Sequence, residues 1–250
     1  MSEHVTVDDS GPIRTVRMNR PAKKNALTAS MYEAMAVALE DANSRAAIRC
    51  VVIAGIPGAF SAGNDLAEFS QAAISGEGPA GPVIRFLHAL ARSGRPLVGA
   101  VQGLAVGIGT TMLLHCDHVV AGSDARFSTP FVNLGLVPEA ASSLLAPRLM
   151  GHRRAFELLV MGRPLDAMAA QACGLVNAVV PPGDVEATAT KAARDIAALP
   201  AEAVAASRRL MRGSPDQTVA RIDEEVRLFK ERLQSAEAQS AFAAFLTRKR

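Results

Sequence analysis

Along the first half of the chain, apolar residues come in short runs of strand length that alternate with longer stretches of helical spacing. Val5-Thr6-Val7 and Ile13-Arg14-Thr15-Val16-Arg17-Met18 predict a hairpin broken at Ser10-Gly11-Pro12, then a turn at Asn19-Arg20-Pro21 and a helix from about Thr28 to Ser44. Cys50-Val51-Val52-Ile53-Ala54 is a continuous apolar strand that runs into a glycine-rich loop, Gly55 to Gly63. Pro96 to Val101 predicts the next buried strand, after which Gly103, Gly107 and Gly109 lead into a helix carrying Met112, Leu113 and Leu114. Val119-Val120-Ala121 is a further strand. From about Ala140 the spacing is mostly helical, interrupted at Gly151, Gly162-Arg163-Pro164, Pro181-Pro182-Gly183, Pro200 and Gly213-Ser214-Pro215. The alanine-rich segment from Glu186 to Ala206 reads as helix, and no internal repeat is present. Strand-and-helix units followed by a helical tail predict an α/β core with a helical C-terminal region.

Composition narrows this picture. A chain of 250 residues with 49% hydrophobic content can bury a large core, in one sizeable domain or a domain plus an appendage. A net charge of +3 is too small for a nucleic-acid footprint, and Arg248-Lys249-Arg250 reads as a solvated tail. Cys50, Cys116 and Cys173 are odd in number and lack metal spacing, which predicts reduced thiols and no zinc site. The polar opening Met1-Ser2-Glu3-His4 has no signal core, and no apolar run reaches the ~18 residues of a membrane span. A soluble, cytoplasmic protein is expected.

The stretch from Phe127 to Pro147 contains a single ionisable side chain, Glu139. Burial raises a carboxylate's pKa, as proton transfer to and from carbon near neutral pH requires. The same residue, following Pro138, also fits an ordinary solvated helix start. From this stretch alone both readings stand.

Other constellations carry less. Gly107-Ile108-Gly109 lacks the third glycine of a dinucleotide fingerprint, because position 112 is Met. No Walker lysine follows a glycine loop. Ser142 or Ser143, His115 or His118 and Asp117 have no nucleophile-elbow sequence around them, so the histidines read as structural. Tyr32, the only tyrosine, reads as helix packing. Two turns stand out: Ser61-Ala62-Gly63-Asn64-Asp65-Leu66 and Gly103-Leu104-Ala105-Val106-Gly107-Ile108-Gly109. Each puts backbone N–H groups where a strand ends and a helix starts, and two such groups converging on one oxygen would form an oxyanion hole. Singly, each is also an ordinary strand-helix connection.

Four segments together resemble the crotonase (enoyl-CoA hydratase/isomerase) superfamily. They are Asn19-Arg20-Pro21-Ala22-Lys23-Lys24-Asn25-Ala26-Leu27, Phe60 to Leu66, Val101-Gln102 through Gly109, and Ala172-Cys173-Gly174-Leu175-Val176, in family order across nearly the whole chain. The resemblance implies a spiral core of ββα units over residues 1–195 and a helical trimerisation region over 196–250. It also implies an acyl-CoA thioester substrate and a homotrimer or dimer of trimers. By position, the oxyanion donors would be the N–H groups of Asn64 and Ile108. Ala22, Lys23, Ser61, Ala62, Gly63, Asp65 and Leu66 would border the substrate, with Asp65 capping or bracing its loop.

The resemblance also separates reactions. Hydratases of this family carry two glutamates to hold and split water, and those positions here are Thr111 and Phe131. A double-bond shift needs one base, and Pro130-Phe131-Val132-Asn133-Leu134-Gly135-Leu136-Val137-Pro138-Glu139 resembles the Δ3,Δ2-enoyl-CoA isomerase branch, peroxisomal type, at its catalytic glutamate. Glu139 is therefore the expected acid/base, with Phe131, Leu136 and Val137 as dry walls and no metal or redox cofactor. A dienoyl-CoA isomerase fits less well. A hydratase with a relocated base, a thioester hydrolase and a non-catalytic acyl-CoA-binding protein remain as alternatives. The segment from Gln71 to Pro82, expected beside the acyl tail, is Gly/Ala/Ser-rich and leaves chain length open.

Overall fold

The apolar run Cys50–Ala54 forms β3, and every residue in it is buried. A strand covered on both faces needs no polar alternation. Cys50, Val52 and Ala54 pack with Val185, Ala189, Ala193 and Ala197 of helix α6 (Val185–Ala198). Val51 and Ile53 join the main core with α1 (Ala29–Ser44) and α2 (Gly81–Ala91). The computed structural model describes residues 2–65, 67–68 and 81–247, without the side chains of 242 and 245–247. Leu66, most of the 71–82 segment and the basic tail lie outside the described residues.

β1 (Val5–Ser10) and β2 (Ile13–Met18) form the expected antiparallel hairpin. From β2 the sheet continues in parallel through β3, β5 (Leu97–Val101), β7 (His118–Gly122) and β10 (Ala178–Val180), in the order β1-β2-β3-β5-β7-β10. A second sheet has the order β4-β6-β8-β9, made of Ala59–Ser61, Leu104–Val106, Arg126–Ser128 and Leu165–Asp166. Each of β3, β5 and β7 is followed within a few residues by a short strand of this second sheet, so the chain winds as a spiral. The glycine-rich loop from Gly55 to Gly63 thus contains a strand, β4. At two or three residues each, β4, β6, β8, β9 and β10 are too short to register as periodicity. The layers stack closely at the corners: Gly103 has φ +63°, and a Cβ there would lie 2.0 Å from the Gly58 carbonyl oxygen.

Asn25 ties the hairpin to the second sheet. It is fully buried with φ +56°, in the left-handed region that Asn tolerates better than most residues. Its Nδ2 donates to the carbonyls of Met18 (3.1 Å), Ala59 (3.0 Å) and Phe60 (3.1 Å), and its Oδ1 accepts from the Arg20 N–H at 2.7 Å. The Asn19–Leu27 motif is therefore a fold device before it is a binding one. Asn25→Ala leaves those groups buried without a partner and should cost about 3–4 kcal/mol. Urea unfolding of the variant checks this, and a loss below about 1 kcal/mol contradicts it.

The helical second half consists of α4 (Ser142–Leu159), kinked at Gly151, then α5 (Ala167–Ala172), α6, α7 (Ala201–Arg212), α8 (Pro215–Leu233) and α9 (Ala236–Thr247). The Glu186–Ala206 segment divides at Leu199-Pro200 between α6 and α7. Within the region that the resemblance assigns to trimer contacts, Phe229 and Leu233 are buried inside the single chain, where they pack with Phe131 and Leu136. The cause is that α8 folds back over the 131–136 turn, with Arg232 Nε donating to the Gly135 carbonyl at 3.1 Å. Exposed apolar side chains lie instead on α7, at Leu210 and Met211. Among the described residues no helix is long and apolar enough to cross a membrane.

Candidate active site

Two turns meet just beyond the ends of β4 and β6. In the first, the Leu27 N–H donates to the Gly63 carbonyl and the Asp65 N–H to the Leu27 carbonyl, both at 2.8 Å. This parallel bridge uses the groups of residues 63 and 65, so the N–H of Asn64 faces the opposite edge. In the second, the Gly107 N–H donates to the Ser128 carbonyl at 2.8 Å and helix α3 (Ile108–Thr111) begins. The Ile108 N–H, first in its helix, has no intrahelical acceptor. Neither N–H has a hydrogen-bond partner among the described residues. The turns touch through backbone, since a Cβ on Gly63 would lie 2.9 Å from the Val106 carbonyl oxygen and one on Gly109 2.9 Å from Ser61 Cβ.

The neighbours of the first turn divide into framework and edge. Ser61, expected along the substrate, is fully buried; its hydroxyl donates to the Asn25 carbonyl at 2.8 Å and accepts from the Gly63 N–H at 3.1 Å. It shapes the turn. Asp65 accepts from Arg20 Nη1 at 2.6 Å and from the N–H groups of Ala67 and Glu68, the bracing role expected of it. Burial opposes its charge, but Arg20 and these N–H groups hold the carboxyl below its usual range. Ala22 and Lys23 sit exposed on the turn Pro21–Lys23, held beside Ala62 by the bond from the Ala62 N–H to the Lys24 carbonyl at 2.9 Å.

Glu139 is 7% exposed, and its Oε1 has no hydrogen-bond partner among the described residues. Burial, with a smaller contribution from the Glu225 carboxylate, pushes its pKa up to about 8. The solvated helix-start reading is thereby set aside. Glu139 precedes Ala140 (φ +63°) and Ala141 (φ +54°), two non-glycine residues in the left-handed region, each costing on the order of 1 kcal/mol. Phe131 and Leu136 are buried in one cluster, and Phe131 is the side chain nearest Gly107, 3.9 Å from where a Cβ would stand. Thr111 is buried, its hydroxyl directed at the Gly107 carbonyl at 3.4 Å.

Two residues were not assigned to this site from sequence. Tyr32 is buried, its ring centroid 5.5 Å from that of Phe86, and its hydroxyl donates to Asn64 Oδ1. Burial first, then the Glu139 charge, raise the pKa of the phenol. Its spacing marked it as helix packing, which its burial in α1 bears out, but gave no sign of the bond to Asn64. Glu225 did carry a signal: it falls between Ile222 and Phe229 on the apolar face of α8. His115 is structural, as expected. Its Nε2 lies 2.8 Å from the Ala140 carbonyl and so carries the proton, and burial lowers its pKa to about 4. A cavity of about 520 Å³ bordered by Arg92, Arg148, Arg208 and Arg212 contains neither Glu139 nor the two turns.

The buried carboxyls make stability depend on pH. Glu139 and Glu225 have pKa values raised to about 8 and about 7, above the 4.5 of an exposed glutamate. Their burial costs nothing below pH 4.5, where both are protonated folded or unfolded, and the fold loses stability as pH rises toward 8. Thermal melts of Glu139→Gln and wild type should therefore coincide below about pH 4 and diverge by about 3–5 kcal/mol in favour of the variant at pH 8.5. A constant difference across that range contradicts the buried-acid assignment.

Comparison with known proteins gives a consistent frame. The profile of the family described as "Enoyl-CoA hydratase/isomerase" matches residues 8–250. The chain is 35% identical over 253 residues to "Enoyl-CoA delta isomerase 2" of Rattus norvegicus, covering 99% of this chain and 64% of the rat protein. It thus spans just under two thirds of that relative's length. It is 29% identical to "Probable enoyl-CoA hydratase" of Rhizobium meliloti, over 99% of this chain and 96% of that one. The solved structure of Pseudomonas aeruginosa OdaA superimposes with a TM-score of 0.92 at 43% identity, covering 98% of this chain and 99% of that one.

Proposed function

The chain belongs to the enoyl-CoA hydratase/isomerase family, and from that premise we propose that it shifts the double bond of a 3-enoyl-CoA to give the 2-trans-enoyl-CoA, with Glu139 as the sole proton carrier. The named relatives divide between isomerase and hydratase, so the reading rests on the acid/base positions of this chain. The observation that carries it is a buried Glu139 oxygen with no partner among the described residues, together with Thr111 and Phe131 where the family resemblance puts a hydratase's two glutamates.

The thioester carbonyl accepts hydrogen bonds from the N–H groups of Asn64 and Ile108. Ionised Glu139 takes a proton from C2; the C–H electron pair delocalises through the double bond onto the thioester oxygen as a dienolate. Each donor aimed at that oxygen is worth about 3–4 kcal/mol. Protonated Glu139 then returns the proton to C4, and the double bond settles between C2 and C3. A pKa near 8 suits both halves, since the group must accept and release within one turnover. Phe131 and Leu136 keep competing water out. The reaction is a proton transposition and calls for neither metal nor redox cofactor. The exposed Ala22-Lys23 turn and the backbone from Ala62 to Asn64 are the proposed track for the CoA arm, and Leu210 and Met211 on α7 are proposed to be covered in a homotrimer.

The test is separate incubation with 3-hexenoyl-CoA and 2-hexenoyl-CoA, with products separated by chromatography and identified by mass. Interconversion of the two thioesters supports the reading. Hydrated product points to a hydratase with a relocated base, free CoA to a thioester hydrolase, and unchanged substrate to a binding protein.

A further inference from the structure

We propose that Glu225, from the C-terminal helix α8, is a positioning residue for Glu139: its carboxylate grips the left-handed turn that carries the base. Glu225 is 4% exposed on the otherwise apolar face of α8. Its Oε2 accepts from the Ala141 N–H at 2.6 Å, and its Oε1 accepts from the Ser143 N–H at 3.0 Å and the Ser143 hydroxyl at 2.5 Å. All three of these donors belong to the turn that follows Glu139, so the carboxylate is committed to holding that turn.

The geometry points to one peptide plane. The carbonyl of Ala140 and the N–H of Ala141 belong to the same peptide group; His115 Nε2 donates to the first, and Glu225 accepts from the second. That plane joins the two left-handed residues directly after Glu139. It cannot rotate without breaking both bonds, so the direction of the Glu139 side chain is fixed by residues 24 and 86 positions away in sequence. The clamp also carries charge. Arg221 of α8, whose Nη1 reaches the Ser143 hydroxyl at 3.3 Å, favours ionised Glu225; His115 is neutral, Arg212 of α7 donates to the His115 carbonyl, and Tyr32 faces Glu139 from α1. Within this set, the negative charge set against Glu139 comes from Glu225.

This inference rests on Glu139 being the base, so both sites are tested together. Glu225→Gln keeps the shape but loses the charge and turns one amide nitrogen toward a donor. It should lower the plateau kcat about 10- to 100-fold, leave KM within about threefold, and move the acidic limb of the kcat–pH profile about one unit lower. Glu225→Asp keeps the charge but withdraws it by one methylene; it should lower kcat at least about fivefold with the limb in place. If Glu225→Gln fails to fold, the aspartate variant decides. Wild-type kcat and limb in a folded Glu225→Gln, or wild-type kcat in Glu225→Asp, overturns the proposal. Should these variants behave as wild type while Glu139→Gln is inactive, the positioning role alone fails; should Glu139→Gln be active, the base assignment fails.

Discussion

Glu139→Gln is expected to lower isomerase turnover by at least ~10³-fold, about 4 kcal/mol in the barrier, while leaving the fold and the affinity for the CoA arm intact. The amide matches the carboxyl in size and removes only the ability to take up a proton. Among the described residues no neighbour is free to replace it: Glu225 is spent on Ala141 and Ser143, His115 on the Ala140 carbonyl, and Tyr32 on Asn64. The N–H groups of Asn64 and Ile108 would still polarise the thioester, so product binding should persist and a small residual rate should remain. Stopped-flow turnover of 3-hexenoyl-CoA, with product affinity by calorimetry, separates the two effects. More than about a tenth of the wild-type rate would remove Glu139 from the mechanism.

With 2-enoyl-CoA the protein should form no 3-hydroxyacyl-CoA at a useful rate, at least ~10²-fold slower than it interconverts the 3-enoyl and 2-enoyl thioesters. Hydration across C2 and C3 needs one group to deprotonate water and another to orient it. Thr111 is too weak a base and its hydroxyl is directed at the Gly107 carbonyl, while Phe131, buried beside Gly107, has no group that can hold or deprotonate water. Hydration outpacing isomerisation would mean that Glu139 has a working partner, and the isomerase reading would fall.

Most of the frame of this protein was legible in its residues. The parallel core strands are continuous apolar runs because helices cover both faces, and such runs need no tertiary information to be recognised. The two glycine turns and the lone Glu139 were visible for a similar reason: free N–H groups at a helix start and a carboxylate among apolar neighbours are local features. The second sheet was not visible, because strands of two or three residues are stabilised by the layer they stack on and carry no period of their own. Ser61 illustrates the same limit, since a serine in a turn gives no sign that its hydroxyl will be closed off by Asn25 and Gly63.

The α/β class, the strand-turn-helix units and the residue types available for chemistry thus follow from spacing along the chain. Which of those residues meet is set by the packing of the fold. It brought Tyr32 to Asn64, pinned one peptide after Glu139 between His115 and Glu225, and turned Phe229 and Leu233 inward onto Phe131 and Leu136. Each is a contact between segments far apart in sequence, fixed by how the spiral layers and the returning α8 pack. The raised pKa of Glu139 belongs with them, because desolvation depends on every group packed around the carboxylate.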